Sequence, residues 1–420
     1  MKRSCTSRAE HWRAARAAGG AVIALVIATL VGSACAPAAP SQPAAKEPLR
    51  FAAFFDQSGP TANIGTEIQP AFLEWIEMIN AQGGVNGRKI ETVVQDHKYD
   101  VPTAQEIYKK WVSEGYAGVL TYGTPITEAL TPSLTRDQVV AITPGFGLSA
   151  AADGKKFPYN FIAAATYASQ GSAILQYIKD SYKGSGNPKV AYLFYDNPAG
   201  RDPVPTFETQ AKQLGIDLVA TVPVPTTTLD MNPIMADIKA KNPDFVVAHL
   251  FGRTPALSMQ AHKANGMTQP LIQFVWGFSD SDVKVAGPAA EGVYGVQFTA
   301  LADDRPKAFQ MLTEFAQKNG KQPNPLMETS AYYARGVHIA ALLTEALRAA
   351  GDAKLDGPGF KKALESIKNS DVYGMSSPLT MSEGDHEGTR QVRMYQVQNG
   401  KISRVKDWFA GPEWFEGRPK

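Results

Sequence analysis

The stretch LRFAAFFDQSGPTANIG, residues 49–65, decides how the rest of the chain is read. An apolar run at 49–55 leads into a turn holding Ser58, Gly59 and Pro60, after which Ile68, Phe72, Trp75 and Ile79 recur at helical spacing. This is strand, tight loop, helix. A loop leaving the carboxyl end of a strand and entering a helix presents unpaired backbone N–H groups to a cleft, which is where ligands of open α/β sheets sit. An ordinary βα turn has the same signature, so the stretch sets the architecture and leaves the site open.

Working outward, the unit repeats. Strands expected at 49–55, 89–95, 117–121 and 139–143 alternate with helices at 65–81, 103–114 and 126–134, the period of a doubly wound parallel sheet. A second series begins near residue 169, with strands at 189–195, 217–222, 244–250, 271–276 and 292–298 and helices at 169–182, 204–214, 232–241, 255–265 and 280–286. Helices at 306–319, 328–349 and 359–368 follow, then a polar β segment at 392–397 and 401–405. The late helices are expected to return to the first lobe, whose own helices cover its sheet poorly. The chain then crosses between lobes near 161–166, near 297–301 and after Tyr373. The expected architecture is α/β, two Rossmann-like lobes joined by a three-crossing hinge: 48–163 plus 300–375, and 164–299 plus 376–420.

The N-terminus is of another kind. Lys2, Arg3, Arg8, Arg13 and Arg16 precede an apolar run at 21–31 that is short for a membrane span, and small residues follow up to Cys35. Residues 1–34 are read as a secretory signal, and the Ala/Pro-rich stretch 35–47 as an extended tether. Gly32, Ser33 and Ala34 before Cys35 resemble a bacterial lipobox, although its usual leucine is Gly32 here, so Cys35 is the expected lipidation site. Cleavage near Ala34 or Ala36, or an uncleaved anchor, stays open. Only Cys5 and Cys35 occur, so the processed chain forms no internal disulfide and relies on the core its length allows. Removing residues 1–34 leaves 37 basic against 39 acidic side chains, a net charge of −2 that offers nucleic acid no basic field.

Four motifs taken in order carry a family resemblance. SGPTANIG (58–65), INAQGGVNGRKIE (79–91), AITPGFG (141–147) and GDHEGTRQVRMYQVQNGK (384–401) make residues 48–408 similar to type I periplasmic binding proteins, closest to the leucine/isoleucine/valine-binding branch, which also serves amides, urea and aromatic acids. The resemblance implies an extracytoplasmic receptor of an ABC importer, with a permease as partner, closing two lobes on a small carboxylate or amide. It implies binding positions at Gly123 and Thr124, where a serine or threonine holds a carboxylate, and at Gly145, Phe146 and Gly147. On the second lobe it implies Ala199, where the family's frequent tyrosine is replaced, with Phe251 and Trp276. The acid that holds an α-ammonium in that family is absent from VWGFSD (275–280), unless Asp280 substitutes for it. Tyr122, Phe146, Phe251, Trp276 and Phe278 suggest an aromatic-lined pocket suited to an apolar or aromatic acid or amide; for each, the alternative is a core position beneath the cleft.

No catalytic constellation is legible. The histidines, His11, His97, His249, His262, His338 and His386, form no HExxH, and His97 and His386, each after an aspartate, read as surface polar turns. Neither GxGxxG nor GxxxxGK[ST] occurs in the processed chain, so no cofactor, metal or enzymatic activity is expected. The alternative to an importer receptor is a sensor that presents its solute to a signalling receptor, because the fold alone does not decide.

Overall fold

The computed structural model describes residues 46–413. The expected signal, tether and lipidation site, Cys35 included, lie outside the described residues. Among the described residues no helix is long and apolar enough to cross a membrane.

Two sheets organise the chain. The first holds β1 (Leu49–Phe55), β2 (Ile90–Asp96), β3 (Gly118–Leu120), β4 (Val140–Thr143) and β5 (Asn160–Ile162) in the order β2-β1-β3-β4-β5, every pairing parallel. β1 is buried along almost its whole length, as a strand covered on both faces must be. The second sheet contains β6 (Lys189–Tyr195), β7 (Asp217–Val224), β8 (Phe245–His249), β9 (Leu271–Gln273), β10 (Tyr294–Gln297), β11 (Val392–Gln398) and β12 (Lys401–Phe409). Its order is β12-β11-β10-β9-β8-β6-β7, with only the β11/β12 hairpin antiparallel to its neighbours.

The helix that follows β1, Ala62–Ala81, begins three residues before its expected start at residue 65, because Gly65 lets the first turn lie against the strand end: a Cβ there would sit 1.9 Å from the Asp56 carbonyl oxygen. Its apolar stripe includes Ile68, Phe72 and Trp75 and packs on helix Ala331–Ala350, where Trp75 Nε1 donates to Thr344 Oγ1 at 2.9 Å. Helix Gly357–Glu365 covers the same sheet, with the Phe360 ring edge-on to Phe51 at 6.0 Å.

Local readings change: the strand expected at 271–276 ends at Gln273, with Trp276 in the short turn Val275–Gly277 after it, and Asn160–Ile162, where no strand is expected, forms β5. The helix expected at 328–349 is two, Leu326–Thr329 and Ala331–Ala350, broken at Ser330, whose extended backbone lets its hydroxyl cap Tyr333 N–H at 2.9 Å. His97 and His386 are fully buried rather than surface turns. His97 accepts from Tyr99 N–H through Nδ1 (2.7 Å) among the rings of Phe54 and Tyr122, and His386 stacks on Phe161 with centroids 3.8 Å apart. The segment carrying His386 lies along β5, with Ile162 N–H donating to His386 O (2.9 Å) and Gly388 N–H to Ile162 O (3.0 Å).

At Gly336, helix Ala331–Ala350 lies against helix Ala62–Ala81: a Cβ would meet Ile68 O at 2.3 Å and the Ala71 Cβ at 2.7 Å. Gly336→Ala should therefore push the helices apart and cost about 1–3 kcal/mol, read from the urea midpoint; an unchanged midpoint would show that the two helices separate freely.

Candidate functional site

The cleft is built at the carboxyl ends of the parallel strands. After β1, the Asp56 carboxylate accepts hydrogen bonds from Thr61 N–H and Thr61 Oγ1, both at 2.8 Å, and from Gly59 N–H, which folds the loop into the helix start. Thr61 O in turn accepts from the Tyr122 hydroxyl at 3.1 Å. After β3, Gly123 has φ +94°, and a Cβ there would lie 2.7 Å from the Tyr99 ring, so only glycine fits the turn that starts helix Thr124–Asp137. Thr124 Oγ1 accepts from Gly147 N–H at 3.2 Å.

A narrow, half-open cavity lies here, with about 20 Å³ of room for the centres of water-sized molecules. The first lobe lines it with Thr61, Ile64, Tyr99, Tyr122, Gly123, Thr124 and Phe146, and the second with Tyr167, Ala199, Phe251 and Trp276. Of the nine expected positions, Tyr122, Gly123, Thr124, Phe146, Ala199, Phe251 and Trp276 are brought together. Gly145 and Gly147 are not in the lining. Gly145 (φ +85°) packs under Phe298, whose ring would meet an added Cβ at 2.5 Å, and the Gly147 N–H is engaged by Thr124. Their role is to shape the turn that carries Phe146. Phe278 is a core residue, close enough to Gly295 that a Cβ there would meet its ring at 2.1 Å. Asp280 does not face the cavity either, since its carboxylate accepts from Ala331 N–H at 3.1 Å.

Four lining residues escaped the sequence reading: Thr61, Ile64, Tyr99 and Tyr167. Tyr99 sits in the turn after β2 at φ +59°, and Tyr167 opens helix Tyr167–Ser181 directly after the first crossing. Each leaves a strand or crossing at the same edge as Thr124, and that shared edge is the signal that could have found them.

The lining holds no charged side chain. Burial raises the Tyr122 and Tyr167 hydroxyls well above the usual phenol range, so both stay neutral. An aromatic chain crosses the cleft, from Tyr122 to Phe146 (centroids 5.2 Å apart) and from Phe146 to Trp276 (4.8 Å). Around it the lobes are latched. Ser149 donates to Asp202 through its N–H (3.0 Å) and its hydroxyl, the Tyr332 hydroxyl bonds Trp276 O (3.0 Å) and Asp282 (3.1 Å), and Asn63 Nδ2 reaches Gly252 O (3.5 Å). Among the described residues no group of three or more His, Cys, Asp or Glu is placed to hold a metal ion.

The geometry has relatives. The sequence model of the family described as periplasmic binding protein matches residues 48–401. "Leu/Ile/Val-binding protein homolog 7" of Brucella suis biovar 1 is 25% identical over 399 residues, covering 91% of this chain and 96% of that protein. Among solved structures, a fatty acid ABC transporter substrate-binding protein from Thermomonospora curvata superposes with TM-score 0.75 at 23% identity, covering 86% of this chain and 92% of the other. A branched-chain amino acid ABC transporter protein from Thermus thermophilus with bound valine gives TM-score 0.77 at 21% identity, covering 87% and 96%. These two likenesses establish the fold.

The Asp202 latch is sensitive to pH. Burial pushes its carboxyl up to about 7, against the hydrogen bonds from Ser149 that lower it. The native state thus holds the proton more tightly than the unfolded chain; this contribution to stability is full below about pH 4 and is lost as pH rises through 7. The thermal midpoint should fall between about pH 4 and 7, and Asp202→Asn should flatten that slope; an identical slope in the variant would exclude the latch as its source.

Proposed function

This chain belongs to the periplasmic binding protein family, and from that premise we propose that its lobes close on a small acid or amide with an apolar or aromatic body, as the receptor of an ABC importer. It is a solute-binding protein that works outside the cytoplasm. The observation that carries the reading of the solute is the lining: eleven residues from both lobes, six of them aromatic and none charged. An α-ammonium would find no carboxylate there, while Thr124, the Tyr167 hydroxyl and the backbone at Gly123 offer hydrogen bonds to a carboxylate or amide head. The relatives' names span leucine-type amino acids and fatty acids, so the cavity's own chemistry has to choose between them.

No covalent step is needed. The solute contacts both lobes only when they are closed, and it shifts the open–closed equilibrium by that difference in affinity. We place the third crossing after Gly388, a reading supported by the bonds of residues 386–388 to β5. The tether reading places the domain at a membrane surface through a lipid on Cys35, supported by the small residues that precede it.

A thermal-shift screen of the processed chain tests the reading. A solute at about a hundredfold its dissociation constant should add about 2.7 kcal/mol of stability, and the shifts are expected with aromatic or aliphatic acids and amides. A shift with leucine or valine alone would overturn it. Thr124→Ala should weaken binding of any responding solute by about 1–3 kcal/mol; unchanged affinity would remove Thr124 from the site.

A further inference from the structure

Behind the cavity wall lies a charge that neither the latches nor the lining explains. Arg335, on helix Ala331–Ala350, is 0% exposed. Its guanidinium carbon is 4.5 Å from the centroid of the Trp276 ring, 4.8 Å from that of Tyr332 and 5.6 Å from that of Phe298. Nη2 donates to Val275 O (2.7 Å) and to Gln297 Oε1 (2.5 Å), while Nε and Nη1 have no partner. Trp276 Nε1, on a residue of the cavity lining, is likewise buried without an acceptor.

Its neighbours compensate this cation poorly. Among the described residues Arg335 makes no ion pair. The acids within its electrostatic reach are Asp282, Glu67 and Asp280, the last raised by burial and accepting from Ala331 N–H. Asp282 hydrogen-bonds Ser279 and Tyr332, and burial pushes its carboxyl up to about 7 in spite of Arg335. Glu67 is bonded to Ser330 and is also raised by burial. Desolvation brings Arg335 itself down only to about 10, so it stays charged at neutral pH. Taking a cation out of water without a paired anion is costly, and stacking on aromatic faces offsets only part of that cost. A neutral cavity therefore borders an under-compensated positive charge, across one indole ring whose N–H is unused.

We infer that Arg335 sets the charge of the solute: the cavity selects a small organic anion, a carboxylate without an ammonium group, over its neutral amide and over an amino-acid zwitterion. The carboxylate takes the Trp276 N–H as a direct donor, and Arg335 acts through the ring it covers, drawing electron density from the indole and supplying the opposing charge in a low-dielectric setting. Arg335 is a specificity-determining residue that the solute does not touch. The inference rests on reading the cavity as the solute site.

The test is calorimetric titration of the processed chain with two matched sets: benzoate, benzamide and phenylalanine; 3-methylbutanoate, 3-methylbutanamide and leucine. The wild type should bind the carboxylate of at least one set about tenfold or more tighter than its amide. Arg335→Gln should bring that ratio close to one while leaving amide affinity nearly unchanged, a split that a merely structural loss would not produce. Arg335→Lys, which keeps the charge, should retain the preference, and Trp276→Phe, which keeps the ring and removes the donor, should weaken the carboxylate more than the amide; these two carry the test if Arg335→Gln does not fold. Tighter wild-type binding of an amide or amino acid, or equal losses of carboxylate and amide affinity in Arg335→Gln, would overturn the inference. If amino acids bind and Thr124→Ala weakens them, the cavity stands as the solute site, while the anion inference and the acid-or-amide reading fall. If none of the six binds, both fall.

Discussion

In each lobe a helix has to begin against the end of the strand before it, and the cleft follows from that constraint. Gly65 brings helix Ala62–Ala81 so close to β1 that a Cβ would lie 1.9 Å from Asp56 O, and Gly200 repeats the approach after β6, where a Cβ would lie 2.0 Å from Tyr195 O. Such contact keeps the connecting loops short, so the first-turn residues stand at the sheet edge. Thr61, Ile64 and Ala199 reach the cavity for this reason. The two sheets supply rigid bodies, and the glycines decide where their edges meet.

The parallel period of the sheets was legible because alternating apolar strands and amphipathic helices follow directly from burial on both faces. Residues that depend on a turn's exact conformation were not. Gly145 and Gly147 have the composition of a binding loop, but their positive φ values serve the backbone path and Phe146 alone reaches the cavity. Tyr99 sits at φ +59° in a polar turn whose sequence shows no period. Ser330 interrupts a continuous helical pattern because its hydroxyl offers the backbone a cap in place of a helical bond. His97 and His386 read as polar from their aspartate neighbours, and only tertiary packing reveals that rings enclose them.

The same division holds within the site. The substitution of Trp276 for an acid was visible as a residue change, and its consequence, a cavity without a carboxylate, is visible in the lining. The meaning of Arg335 was invisible, since in sequence it is one basic residue in a helix 59 positions from Trp276. The crossing of the chain between lobes sets that guanidinium 4.5 Å from the indole.

The seam around the cavity explains why such a clamp needs its solute. Asp202, Asp280 and Asp282 all lie where the lobes meet, and burial raises all three carboxyls toward their neutral forms. Each hydrogen bond gained at the seam is therefore set against desolvation of a group that favours water, and Arg335 adds a further cost of the same kind. Contacts offset in this way give the closed arrangement less advantage than their number suggests. A solute that touches both lobes then needs only modest differential affinity to decide the equilibrium, and its loss lets the lobes part. A seam of apolar side chains would hold the clamp shut with or without cargo; a seam of hydrogen-bonded acids leaves the decision to the molecule in the cavity.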